Sequence, residues 1–147
     1  MHRLIKIRIV RDLEHLQERV FRFMDTRFEA NQTAACYRPA VDFYETAGGL
    51  VLRMDLAGVA AEDFSISLAG QELVIRGLRK KPPPPEGIRR FFRHEIGFGD
   101  FERSFVLPIP IDPQGVKARY ADGVLEVKLP RKKPETRRIP VKSQSEP

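Results

Sequence analysis

One stretch limits the possible folds more than any other: Ala118–Lys133, reading ARYADGVLEVKLPRKK. Asp122-Gly123 lies between two alternating segments and readily supplies the paired positive-φ positions of a type I′ turn, which predicts a β-hairpin. On the first arm Val116, Ala118 and Tyr120 share one face, with Lys117 and Arg119 on the other. On the second arm Leu125, Val127 and Leu129 oppose Val124, Glu126 and Lys128. Pro130 has no amide to give to a ladder and closes the strand. Beyond it, Ile139-Pro140-Val141 sets two aliphatics around a proline in an otherwise polar tail.

The middle of the chain has the same texture of short strands with turn punctuation, the pattern of an antiparallel sandwich. Pro39–Glu45 predicts a first strand, turned by Thr46–Gly49 into alternating Leu50, Leu52, Met54 and Leu56. Phe64, Ile66 and Leu68 against Ser65 and Ser67 predict another, followed by Leu73–Leu78. RKKPPPPEGIR (79–89) then favours an extended spacer. After it, Arg90–Ile96 has a strand-like pattern but is set apart from the rest, either folding back on its own sheet or pairing with the edge of a neighbouring subunit. Phe101, Arg103, Phe105 and Leu107 share a face of the next strand. Arg103 is a permanent charge on that apolar face. Buried without a partner it would cost several kcal/mol, so a carboxylate should lie near it. Glu95 is the candidate; the alternative is an arginine that snorkels to the rim.

Residues 1–36 carry two patterns. Ile5, Ile7 and Ile9 alternate with Lys6 and Arg8 as in a strand, whereas Leu13, Leu16, Val20, Met24 and Phe28 fall at helical spacing, joined by Phe21 and Phe23. The helix would either pack on its own domain or form an apolar arm between subunits.

Ala118-x-x-x-Asp122-Gly123-Val124-Leu125 followed by Ile-x-Val resembles the end of an α-crystallin domain in a small heat-shock protein of the non-animal type. Asp122 stands where the family more often has Asn. Asp55-Leu56-Ala57-Gly58-Val59 is similar to the family's Asp-Leu-Pro-Gly-Val, with Ala57 in place of proline. The resemblance covers residues 37–141. It implies an all-β, immunoglobulin-like antiparallel sandwich over 37–130, a partly helical N-terminal arm over 1–36 and an extended C-terminal tail over 131–147. It also implies a strand-exchanging dimer loop, which places Val41, Phe43, Phe91, Phe92, His94, Glu95 and Arg103 at a homodimer interface. Leu13, Leu16, Val20, Phe21, Met24 and Phe28 become a client-binding arm. Ile139, Pro140 and Val141 become a plug for an apolar groove lined by Phe64, Ile66, Leu68, Val116, Ala118 and Tyr120. The implied partners are further copies of the chain, in a homodimer and a larger homo-oligomer, and partly unfolded client proteins.

Other chemistries find little support. His2, His15 and His94 are scattered, no zinc-binding cysteine pair is present, and neither a P-loop nor Gly-x-Ser-x-Gly occurs. Neither enzyme activity nor a cofactor or metal is therefore expected. Cys36, the single cysteine, reads as a domain-boundary thiol in a reducing compartment. The apolar run at the start is cut by Lys6, Arg8 and Arg11 and no stretch approaches a membrane span, so the expected location is cytoplasmic, with no membrane partner. The net charge of +6 lies at the two ends: residues 37–129 hold thirteen Lys/Arg against thirteen Asp/Glu. That distribution disfavours a nucleic-acid partner. Two rival functions stay open at this level. One is a sandwich-fold co-chaperone adaptor for a specific folded partner. The other is a nucleic-acid binder using Arg79–Lys81, Arg89, Arg90, Phe91 and Phe92.

Overall fold

The computed structural model describes residues 5–10 and 37–141. Among these residues, eight strands form two four-stranded sheets packed face to face. One sheet has the order β1-β4-β5-β6, from β1 (Ile7–Val10), β4 (Phe64–Ala69), β5 (Glu72–Arg79) and β6 (Gly99–Val106). The other has the order β2-β3-β8-β7, from β2 (Val41–Thr46), β3 (Gly49–Asp55), β8 (Val124–Pro130) and β7 (Lys117–Ala121). Apart from Arg90–Ile96, the expected strands fall within two residues of these limits. At the hairpin turn Asp122 and Gly123 adopt φ of 52° and 74°, the two left-handed positions of a type I′ turn.

Alternation decides what is buried. Leu50, Leu52 and Met54 of β3 lie in register with Leu129, Val127 and Leu125 of β8 and form the inner face of one sheet. Across from them Ile66 and Leu68 of β4 pair with Ile75 and Leu73 of β5, and Phe101 of β6 joins them. Each fully buried side chain of this size contributes about 1.5–3 kcal/mol relative to exposure. Two aromatic pairs close opposite sides of the sandwich. Phe43 of β2 meets Phe105 of β6 with ring centroids 5.7 Å apart, and Phe64 of β4 meets Tyr120 of β7 at 5.1 Å.

Two features differ from the sequence reading. Ile7–Val10, assigned to the arm, joins the sandwich as an edge strand, and it pairs with β4 in parallel where all other pairs are antiparallel. Arg90–Ile96 does not fold back on its own sheet, one of the two arrangements expected for it: it forms no strand within the single chain, and every residue of it is exposed. A strand needs an edge to pair with, and this segment meets none among the described residues of its own chain. The arm residues Leu13, Leu16, Val20, Phe21, Met24 and Phe28 lie outside the described residues.

Candidate interaction sites

Most of the described residues singled out by sequence fall in three places: the β4–β7 side of the sandwich, the 80–98 loop with the strands beside it, and the tail.

On the β4–β7 side, Phe64, Ile66 and Leu68 are 8 %, 1 % and 2 % exposed, while Val116, Ala118 and Tyr120 are half-buried against the core. Phe64 and Tyr120 meet across the two sheets, Ile66 and Leu68 are core residues, and β7 is at the edge of its sheet. The Tyr120 hydroxyl lies 2.8 Å from the Leu56 carbonyl oxygen and 2.6 Å from that of Val59, donating to the turn that precedes β4. Burial, followed by Tyr37 and Asp55, raises its pKa above the ordinary 10.0.

The 80–98 loop is held at its feet. The Arg79 guanidinium lies 4.7 Å from the Tyr37 ring centroid and 5.3 Å from that of Phe98, a clamp that sequence reading missed because its three members are far apart in the chain. Tyr37 is fixed in turn by a 2.9 Å hydrogen bond from its hydroxyl to the Asp55 carbonyl oxygen and by edge contact with Phe101. Beyond the clamp the loop projects apolar rings into solvent. Phe91 is 58 % and Phe92 84 % exposed, the first stacked on His94 at 4.6 Å and the second under the Arg90 guanidinium. Val41 and Phe43 pack against their own core, so what β2 leaves open is the backbone side facing away from β3, at the end of its sheet.

Arg103 occupies the inner row Ile66–Ile75–Arg103. Its Nη1 donates to the Pro39 carbonyl oxygen at 2.7 Å, and its guanidinium lies 5.5 Å from the Phe105 ring centroid. Burial, with repulsion from Arg38, lowers its pKa. Within the described residues no carboxylate pairs with it; Glu95 instead accepts from Arg93 at 3.1 Å. The expected Arg103–Glu95 pair is therefore not formed inside one chain. In the tail, residues 132–141 form no strand, and Ile139 and Val141 are 82 % and 90 % exposed. Among the described residues no three His, Cys, Asp or Glu side chains gather to hold a metal ion.

Comparison with known proteins agrees with the sandwich. The family model described as Hsp20/alpha crystallin family matches residues 42–142, from the first residues of β2 into the tail. The chain belongs to the Hsp20/alpha crystallin family. Its members are small heat-shock proteins, chaperones rather than enzymes. The chain is 35 % identical to spore protein SP21 of Stigmatella aurantiaca over 118 residues, 79 % of this chain and 69 % of that one. It is also 35 % identical to the 16.9 kDa class I heat shock protein 1 of Oryza sativa over 126 residues, 83 % of each chain. Among solved structures, a small heat-shock protein from Xylella fastidiosa superposes with a TM-score of 0.63 at 34 % identity, covering 74 % of this chain and all of that one. Heat shock protein 16.0 from Schizosaccharomyces pombe gives 0.60 at 28 %, covering 72 % and 99 %. The family binds unfolded proteins and forms homo-oligomers.

Proposed function

We propose that this small heat-shock protein is an ATP-independent holdase that captures partly unfolded proteins in the cytoplasm and works as a dynamic assembly of dimers. The observation that carries the reading is the tail. Ile139 and Val141, two residues apart on an extended segment, leave 82 % and 90 % of their surface exposed in a single chain. Side chains so placed and spaced face the same way and suit an apolar groove. The groove assigned to them is the one between β4 and β7, on another copy. The solved Xylella relative, described as having a distinct high order structure, supports assembly of this kind.

Dimers form, in this reading, by exchange of the 80–98 loop. Arg90–Ile96 lies along the free side of another chain's β2, taking the pairing it lacks within its own chain. Exchange also brings Glu95 of one chain to Arg103 of the other. Release of subunits exposes apolar surface, including the arm, to clients. Nothing in the cycle uses a nucleotide, in line with a sequence that carries no P-loop.

The test is suppression of aggregation. At equal mass and without ATP, the purified chain should strongly reduce the light scattering of a heat-denatured model client. An unchanged scattering trace would remove the holdase reading and favour an adaptor.

A further inference from the structure

The β4 edge is already occupied. Ile7 lies beside Ile66, extending the inner row to Ile7–Ile66–Ile75–Arg103, and Ile5 and Ile7 pack against the core while Lys6 and Arg8 face solvent. The strand sits on the side of the sandwich where Phe64 meets Tyr120, the side assigned to the tail. It offers two aliphatics at the same two-residue spacing as Ile139 and Val141. The two tail residues, meanwhile, are left in solvent.

We propose that the groove beside β4 takes one plug at a time, and that the chain's own N-terminal segment, β1 with Ile5 just before it, competes there with the Ile139-Pro140-Val141 tail of a second copy. The inference rests on the tail-plug reading above. Its physical basis is that β1 is an edge strand in parallel pairing, which is slightly weaker per residue than antiparallel pairing and can leave without breaking the β4–β5 ladder. A groove filled by its own strand is open for only a fraction of the time, and the apparent affinity for an incoming tail falls by that fraction. Assembly through tails then displaces the N-terminal strand, releasing Ile5, Ile7 and Ile9 as an apolar segment. The same step that links subunits adds surface for a client.

The test uses the full chain carrying Ile139→Ser/Val141→Ser, so that its own tail does not compete, with and without Ile5→Ser/Ile7→Ser. The probes are dye-labelled synthetic peptides of residues 134–142 and 3–11, followed by fluorescence anisotropy, with far-UV circular dichroism to show that both proteins keep their sheets. Competition predicts that the tail peptide binds at least five-fold more tightly when the N-terminal isoleucines are replaced, and that unlabelled N-terminal peptide displaces it. Equal tail-peptide affinity for both proteins would overturn the competition and leave the tail plug standing. Binding of the N-terminal peptide but not the tail peptide would overturn the tail plug as well, leaving the groove to β1 alone. Absence of binding by either peptide would overturn both.

Discussion

Arg103 Nη1 donates a 2.7 Å hydrogen bond to the carbonyl oxygen of Pro39, 64 residues earlier in the chain. The bond ties β6 to the segment that enters β2, joining the two sheets at the side closed by Phe43 and Phe105. Arg103→Met keeps an apolar stem beside Phe105 and removes the charged donor. Hydrogen bonds to charged groups contribute roughly 1.5–3 kcal/mol, so urea denaturation should show a loss in that range. An unchanged midpoint would mean that water serves the Pro39 carbonyl equally well.

The same guanidinium is the proposed subunit contact for Glu95. Inside one chain Glu95 pairs with Arg93 on the surface, with both side chains more than 70 % exposed, and such a pair adds little to stability. In the exchanged dimer Glu95 would meet a half-buried charge, where truncating one partner costs about 2–5 kcal/mol. Glu95→Ala should therefore weaken dimerisation by roughly thirty-fold or more, while Arg93→Ala leaves it nearly unchanged. Sedimentation equilibrium over a dilution series separates the two. Equal effects from both variants would remove the Arg103–Glu95 pair.

Tyr120 and Tyr37 make folding sensitive to alkali. Burial raises both phenols above 10.0, Asp55 adds to each, and Arg79 pulls against the shift at Tyr37. The unfolded chain therefore loses these protons first as pH rises. Their contribution to stability is complete below pH 10.0 and is lost as pH climbs through the folded-state values. Tyr120→Phe should lower stability at neutral pH by about 1 kcal/mol, because its hydroxyl no longer serves Leu56 and Val59, and should flatten the alkaline slope. Urea midpoints between pH 8 and 11 measure both effects, and parallel curves would assign the alkaline loss elsewhere.

How much of this was legible in the sequence follows the range of the interactions. The hairpin at Asp122-Gly123 and the alternation of Leu50, Leu52 and Met54 are local, and the strands lie where that alternation places them. The inward face of Phe64, Ile66, Leu68, Ala118 and Tyr120 was legible because period-2 alternation fixes which face each occupies. Arg103 announced itself as a charge on an apolar face, but its partner did not: a backbone carbonyl has no signature among residue types. The Arg79 clamp was hidden for a related reason, since Tyr37, Arg79 and Phe98 meet only after the sandwich closes. Ile5, Ile7 and Ile9 showed a strand, yet nothing local says that its neighbour is β4 or that the pairing is parallel. Arg90–Ile96 shows the opposite case, strand-like in pattern but without an edge to pair with among the described residues of its own chain.

Gly77 tests the packing between strands. A methyl group there would lie 2.5 Å from the Asp63 carbonyl oxygen and 2.7 Å from both Phe64 Cβ and Phe101 Cζ. Phe64 and Phe101 are its register partners on either side, so the absence of a side chain lets both rings reach the core. Overpacking costs typically 1–3 kcal/mol, and Gly77→Ala should fall at the upper end because one obstacle is backbone. Thermal unfolding of the variant against wild type reads the loss directly. A change below about 0.5 kcal/mol would show that β4 and β6 can separate at little cost.

The last prediction concerns the mass of the assembly. Burying Ile139 and Val141 gives about 3–6 kcal/mol in gross terms, and ordering the tail offsets much of it. A single plug is then weak, on the order of millimolar, and an assembly persists only because many plugs act together. Removing the plug should therefore act as a collapse rather than a gradual loosening: Ile139→Ala/Val141→Ala should fall to dimers in light scattering. Wild type should exchange subunits and shift toward dimers on modest warming. An adaptor for one folded partner needs no such plug and would stay small in both forms. A double variant that keeps the mass of the wild-type assembly would mean that other contacts, the 80–98 loop or the arm among them, hold the subunits together without the tail.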